Sequence, residues 1–335
     1  MPKPKLSPEE VWNSSREELL SLLESGFLTP KTKEIHFYSP SFAYHKAGYY
    51  HSSPTTFPTI SVTGTSCALN CKHCGGKVLE TMRPALTPEK LFELCSNLKR
   101  DGAVGCLVSG GCLPDGLVPL DAFIDALGRV KHVLGLTVFV HTGVVNLETA
   151  AALKKAGVDA ALIDVIGSVE TIKKVLNLDV APQDYLAALK SLEKSGLNFV
   201  PHVLVGLDEG ELKGEFDALK IIAAVNPSAL VIIAFMPIHG TSMEKTNPPT
   251  AESIAKVASM ARLMFPETPL MLGCMRPKGA SRPETDVLAL KAGVDAIAFP
   301  SEEAVKYAEF RGWKTSFSPY CCANMYLDAA WKTEK

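Results

Sequence analysis

No stretch of this 335-residue sequence approaches the roughly 20 consecutive apolar residues that a membrane-spanning helix needs. The first residues, Met1-Pro2-Lys3-Pro4-Lys5, have no apolar run behind them, so no secretory signal is expected. A strong charge of either sign is missing too. Formal net charge is -2 with Lys and Arg scattered, which leaves no basic groove for nucleic acid and no basic patch for a membrane surface. Internal repeats and low-complexity segments are also lacking. What is present is a hydrophobic content of 47%, ample for a large core, and nine cysteines. In such a chain nine cysteines point to metal work rather than to a disulfide frame. A soluble, cytoplasmic protein is the expectation.

Short apolar runs alternate with helical patterns along the chain. Runs at 59–63, 104–109, 137–141, 160–165, 199–205, 230–235, 270–273 and 296–299 are dense in Val, Ile and Leu without clean alternation, as strands buried on both faces should be. Helical segments fall between them, beginning at Thr87-Pro88-Glu89 and continuing at 120–134, 147–156, 182–195, 211–225, 251–265, 286–292 and 301–311. Gly157, Gly196, Asn226, Gly293 and Gly312 follow several of them, which suits left-handed caps. Eight strands alternating with eight helices predict an α/β fold of parallel strands, a (β/α)8 TIM-type barrel, with a doubly wound open sheet as the alternative. The division predicted is an N-terminal extension over 1–57, holding a helix at 8–25 and a loop rich in His, Tyr, Ser and Pro, then the barrel over 58–312 and a tail over 313–335.

Cys67, Cys71 and Cys74 stand at i, i+4 and i+7 just after the first predicted strand. Three thiolates on one short loop can hold three irons of a four-iron cube and leave the fourth open to a ligand. A structural zinc site would want a fourth ligand, and His73 is adjacent to Cys74 and poorly placed for it. A C-x-x-C redox pair would account for Cys71 and Cys74 but not for Cys67. In a barrel, chemistry gathers at the C-terminal ends of the strands. The cysteine loop, Ser109-Gly110-Gly111-Cys112, His141, Asp164, Gly206, the turn from Pro237 to Thr241 and Cys274-Met275-Arg276 all fall there.

This pattern resembles the radical S-adenosylmethionine (SAM) superfamily across roughly residues 58–311. The resemblance implies a radical SAM barrel with a [4Fe–4S] cluster on Cys67, Cys71 and Cys74, with SAM on the open iron as the source of a 5′-deoxyadenosyl radical. It places Ser109, Gly110 and Gly111 against the methionyl amine, with Cys112 where an acid often stands. Asp164 matches the ribose-bonding position; as a residue by itself it would also serve as a helix cap or loop acid. Gly206 lies in the segment that packs near adenine, and His73 in a slot usually held by an aromatic ring.

Within the superfamily the chain resembles the biotin-synthase-related group, most of all the octanoyl-acting component of the two-protein lipoyl synthase. Carrying segments are Gly206-Leu207-Asp208-Glu209, Met236-Pro237-Ile238-His239-Gly240-Thr241 and Leu272-Gly273-Cys274-Met275-Arg276. That likeness implies a sulfurtransferase acting at C8 of an octanoyl-lysine on a lipoyl-carrier protein (H protein or an acyltransferase lipoyl domain). A companion component and an electron donor such as ferredoxin are implied with it. It also implies a second, auxiliary [4Fe–4S] cluster as sulfur source, for which Cys112, Cys274, Cys321 and Cys322 are the thiols available, from a tail folded over the barrel mouth. Arg276 is a further ligand by analogy, and His141 and His202 stand where related enzymes carry cysteine. The plainer reading of these four cysteines is buried thiols, as for Cys95 and Cys106. An apolar channel lined by Phe235, Met236 and Met275 would admit the acyl arm. Another biotin-synthase-like reaction, or a non-catalytic iron–sulfur or zinc protein, are the alternative functions.

Overall fold

A computed structural model describes residues 6–40, 46–47, 50–51 and 55–328. The N-terminal pentapeptide, most of the loop over 41–54 and the last seven residues of the tail lie outside the described residues.

The strands are β1 (Glu34–Tyr38), β2 (Lys46–Ala47), β3 (Tyr50–His51), β4 (Thr59–Ser61), β5 (Arg83–Pro84), β6 (Gly105–Ser109) and β7 (Thr137–His141). They continue as β8 (Ala160–Val165), β9 (Phe199–Val205), β10 (Leu230–Ala234), β11 (Leu270–Leu272), β12 (Ala296–Ala298) and β13 (Lys314–Ser318). Eleven of them join one sheet in the order β13-β1-β12-β11-β10-β9-β8-β7-β6-β4-β5. Every neighbouring pair in it is parallel. All eight predicted strands are present, as β4 and β6 to β12, with helices between them. The TIM-type expectation holds for this half-barrel, with one difference: the sheet keeps two edges, β13 and β5, instead of closing. β2 and β3 form a separate antiparallel ribbon.

Alternation along the strands explains the two cores. Val138, Val140, Ile163, Ile232 and Leu272 face outward and pack against the helices, through residues such as Leu91, Leu127 and Ile254. Phe139, Leu162, Val200, Val231 and Met271 face the other way and enclose a second core. Each fully buried aliphatic side chain of this kind contributes about 1.5–3 kcal/mol.

The second core also holds Cys321, Cys322, Ala323 and Met325, from a short 3-10 helix at Cys322–Leu327. The tail therefore fills the concave side of the sheet, in place of lying over the mouth. The reason is the open seam: apolar inward faces with no closing strand need a partner, and the tail supplies it. Tyr326 anchors it by donating to the carbonyl of Asp159, 2.6 Å away, and Tyr38 bonds Asp328. Strands β1 and β13 pair in register from Glu34–Lys314 to Tyr38–Ser318, so both flanks enter the main sheet.

The predicted N-terminal helix is two helices, Pro8–Asn13 and Arg16–Glu24. Each opens on its own capping box, Ser7 with Glu10 and Ser15 with Glu18, which restarts the chain at Ser15. Four of the predicted caps, Gly157, Gly196, Gly293 and Gly312, have positive φ. Asn226 does not; its backbone and side-chain nitrogens both donate to Glu193. Among the described residues no helix is long and apolar enough to cross a membrane.

Candidate active site

Strand β4 delivers the cysteine loop to the C-terminal end of the half-barrel, and backbone hydrogen bonds fix its course. Val62 donates to Ser109 O at 2.8 Å, Ala68 to Cys112 O at 2.9 Å and Lys72 to Val175 O at 2.8 Å, so two segments hold it, the end of β6 and the helix around Val175. Thr63 Oγ1 accepts from Gly111 N at 2.7 Å. Gly111 has to be glycine: a Cβ there would stand 2.0 Å from Ser66 O and 2.6 Å from Cys67 Cα. Asn70 turns the loop with a left-handed φ of 45°, and the amide of Asn177 donates to the carbonyls of Leu69 and Asn70.

The loop brings Cys67, Cys71 and Cys74 to one cavity of about 290 Å³. His73, Ser109, Gly110, Gly111, Cys112, His141 and Asp164 line the same cavity, so the residues predicted for SAM converge there, with one departure. Gly206 lies outside that lining, packed on Pro249 with its N–H bonded to Glu215 at 2.8 Å. The turn from Pro237 to Thr241 meets the loop, Thr241 Cγ2 facing Gly75 and Gly240 facing Lys77.

The electrostatics suit metal ligation. One donor atom each of Cys71, His73 and Cys74 lies within 4.8 Å of the others. A hydrogen bond from Cys71, reinforced by His73, holds the Cys74 thiol well below its ordinary range, and that same bond pushes Cys71 up. Leu176 O, 3.2 Å from Cys71 Sγ, is an alternative acceptor for the same proton. Burial, then the negative charge of Cys67 and Asp164, pushes Cys112 up to about 12. Burial works to raise Asp164, but the charge and hydrogen bond of His141 outweigh it and hold the carboxyl at about 2.

The four cysteines expected to act together fall into two places. Cys112 stands with the first trio, while Cys274 hydrogen-bonds Cys322, which in turn bonds Cys321. The bond to Cys322, then burial, pushes the Cys274 thiol well above its ordinary value. Arg276 is committed elsewhere. It is fully buried and donates to Asp286 at 2.8 Å and to the carbonyls of Gly273, Ala298 and Phe299, which takes up four of its five N–H groups. Phe235 is buried in the outer core and does not line the cavity; Met236 and Met275 are partly exposed and outside the lining as well. The apolar wall comes instead from residues such as Val118, Val144, Leu176 and Leu178. Cys95 and Cys106 are a buried, hydrogen-bonded pair behind the sheet.

Sequence reasoning missed the segment after β8. Leu176, Leu178 and Tyr185 line the cavity and Asn177 braces the loop, yet their spacing reads as an ordinary helix and connection. The one local sign was an Asn placed just past a helical run, where left-handed φ is frequent.

A half-barrel of parallel strands with three clustered thiols at the end of β4 defines a class. Residues 61–217 match the Radical SAM superfamily. Within the class the chain is related at low identity to biotin synthases. It is 24% identical over 265 residues to that of Neorickettsia sennetsu, covering 76% of this chain and 79% of that protein. With that of Prochlorococcus marinus (strain MIT 9301) the identity is 23% over 300 residues, covering 87% and 84%. Among solved structures, methylornithine synthase superposes with TM-score 0.62 at 17% identity, over 94% of this chain and 95% of that one. The [FeFe]-hydrogenase maturase HydG does so with TM-score 0.64 at 18% identity, over 96% and 74%. At these identities the two structures speak for the fold.

The superfamily implies a [4Fe–4S] cluster with SAM, and the residues fit. Three soft thiol donors meet at one cavity, and glycine backbone borders them where any side chain would block the approach. The buried Nδ1 of His73 is left without a protein partner beside them.

Proposed function

We propose that the chain is a radical SAM sulfurtransferase, the lipoyl synthase component that inserts sulfur at C8 of a protein-bound octanoyl-lysine. The observation that carries this reading is a second thiol group, Cys274, Cys321 and Cys322, on the concave side of the same half-barrel as the first. When bound, the clusters supply one-electron cleavage of SAM, which yields a radical able to remove hydrogen from unactivated carbon, and sulfide for transfer.

The protein's part is placement. Cys67, Cys71 and Cys74 would hold the first cluster, and Ser109, Gly110 and Gly111 would offer backbone to the methionyl end of SAM. The apolar wall around Val118, Val144 and Leu178 suits an acyl arm and keeps water from the reacting carbon. A carrier such as an H protein or a lipoyl domain would present that arm. A companion component would complete the second insertion, and a ferredoxin-type donor would supply electrons in the cytoplasm.

The test is anaerobic incubation of reconstituted protein with SAM, dithionite and an octanoyl-lysyl peptide. Mass spectrometry is expected to find one sulfur gained at C8. Cleavage of SAM with no sulfur in the peptide moves the reading to another cofactor-assembly reaction of the biotin-synthase type. Iron content separates the two thiol groups: Cys274→Ala/Cys322→Ala should lose about half the reconstituted iron. Cys71→Ala should abolish SAM cleavage while the other half remains.

A further inference from the structure

Apart from the two thiol groups, the mouth of the half-barrel carries a third set of donor atoms. His141, Asp164 and His202 stand on β7, β8 and β9, three adjacent parallel strands. Each lies two residues beyond an inward-facing apolar residue, Phe139, Leu162 or Val200, so alternation turns all three to the interior. Asp164 and His202 are register partners. His141 Nε2 is 3.5 Å from Asp164 Oδ1, and the two imidazole rings are 5.9 Å apart. One donor atom from each of the three lies within 4.8 Å of the other two.

The His141–Asp164 pair by itself leaves His202 unexplained. His202 is only 9% exposed, and its Nδ1 has no hydrogen-bond partner. An unpaired polar group so placed costs about 1–3 kcal/mol. A positive centre among the three residues would use both imidazoles and the carboxylate together.

We propose that His141, Asp164 and His202 bind a divalent transition-metal ion, a mononuclear site distinct from both thiol groups. Two imidazoles and one carboxylate suit Fe²⁺, Co²⁺ or Zn²⁺, whereas Ca²⁺ and Mg²⁺ prefer a full shell of oxygens. Ligands about 2.0–2.2 Å from such an ion lie roughly 3–3.5 Å from one another. His141 and Asp164 already have that spacing, and the His202 donor, within 4.8 Å of both, must draw closer when the ion binds. Three protein ligands leave positions open toward the cavity that Asp164 and His141 line. A metal on one oxygen of Asp164 leaves the second oxygen for a hydroxyl of a molecule bound there.

The experiment uses the full chain with Cys67, Cys71, Cys74, Cys112, Cys274, Cys321 and Cys322 changed to Ser, so that neither thiol group competes, titrated anaerobically with Co²⁺. One equivalent is expected to bind with weak visible d–d bands and no intense thiolate-to-cobalt absorption. X-ray absorption should show only nitrogen and oxygen neighbours, with imidazole scattering. His202→Gln and His141→Gln should each weaken binding by more than about tenfold, with the circular dichroism of the parent. Lack of saturable binding by the Cys-to-Ser protein, or a shell containing sulfur, overturns the proposal without any histidine variant. Undiminished binding in a folded His202→Gln protein overturns it equally. The readout is metal binding, so the outcome is independent of the sulfur-transfer reading.

Discussion

The side-chain amide of Asn177 donates across 3.0 Å to the carbonyl of Asn70, and both residues hold a left-handed backbone, φ 52° and 45°. Through this contact the end of the helix Val169–Leu176 braces the loop that carries the three thiols. A second segment, 108 residues away in sequence, thus fixes where Cys71 points.

Removing that brace should loosen the loop without breaking the fold. Asn177→Gly keeps the backbone conformation but loses both hydrogen bonds, so a stability loss of about 1–3 kcal/mol is expected, with lower iron uptake. Asn177→Ala should lose roughly 1 kcal/mol more, because alanine resists left-handed φ. Urea unfolding and iron analysis measure both; a glycine variant equal to wild type in each would show the contact to be idle.

Gly111→Ala tests the close approach of two backbones. The new methyl would collide with Ser66 O and Cys67, so the loop must move. A cost of about 1–3 kcal/mol and reduced iron binding are expected. Gly110→Ala is the control. Its nearest atoms are Thr63 side-chain atoms at 3.0 and 3.1 Å, which can give way, so its effect should be smaller.

Arg276 is a structural cation. Arg276→Met leaves the fully buried Asp286 without its closest cation and removes a donor from the carbonyls of Gly273 and Ala298, while Phe299 O keeps Arg282. A loss of about 3–5 kcal/mol in denaturant unfolding is expected. If Arg276 were instead a cluster ligand, the variant would lose iron while the apo-protein stayed as stable as wild type.

Glu215 is buried, and that burial raises its carboxyl above the ordinary value while one oxygen accepts from Gly206. The folded state therefore keeps a proton that the unfolded chain gives up near pH ~4.3. Stability contributed by this group falls as pH rises through the interval up to its folded value, then stays flat. Glu215→Gln has no such fall, so its stability relative to wild type should grow across that interval. Parallel pH profiles of the two proteins would count against the raised carboxyl.

The sequence made the eight central strands readable because dense Val, Ile and Leu runs leave few other options. β13 escaped because Lys314-Thr315-Ser316-Phe317-Ser318 is a polar, partly exposed edge strand that pairs only through β1. The first thiol group was equally readable, since all three ligands sit on one short loop. The second depended on the path of the tail into the concave side, which no local pattern records. The surroundings of Arg276 were hidden for the same kind of reason: its partners Ala298 and Phe299 lie on a later strand and connection, and only packing reveals which groups its donors reach.

The packing of Cys322–Leu327 inside the sheet has a consequence for synthesis. The ribosome releases the thiol loop well before the tail, so the two sites mature at different times. A chain still tethered at β13 already has Cys67, Cys71 and Cys74 in hand, but its inner core stands open and Cys274 waits without Cys322. Premature termination after Ser318 would then yield a protein with the first thiol site, an exposed apolar interior and no second one.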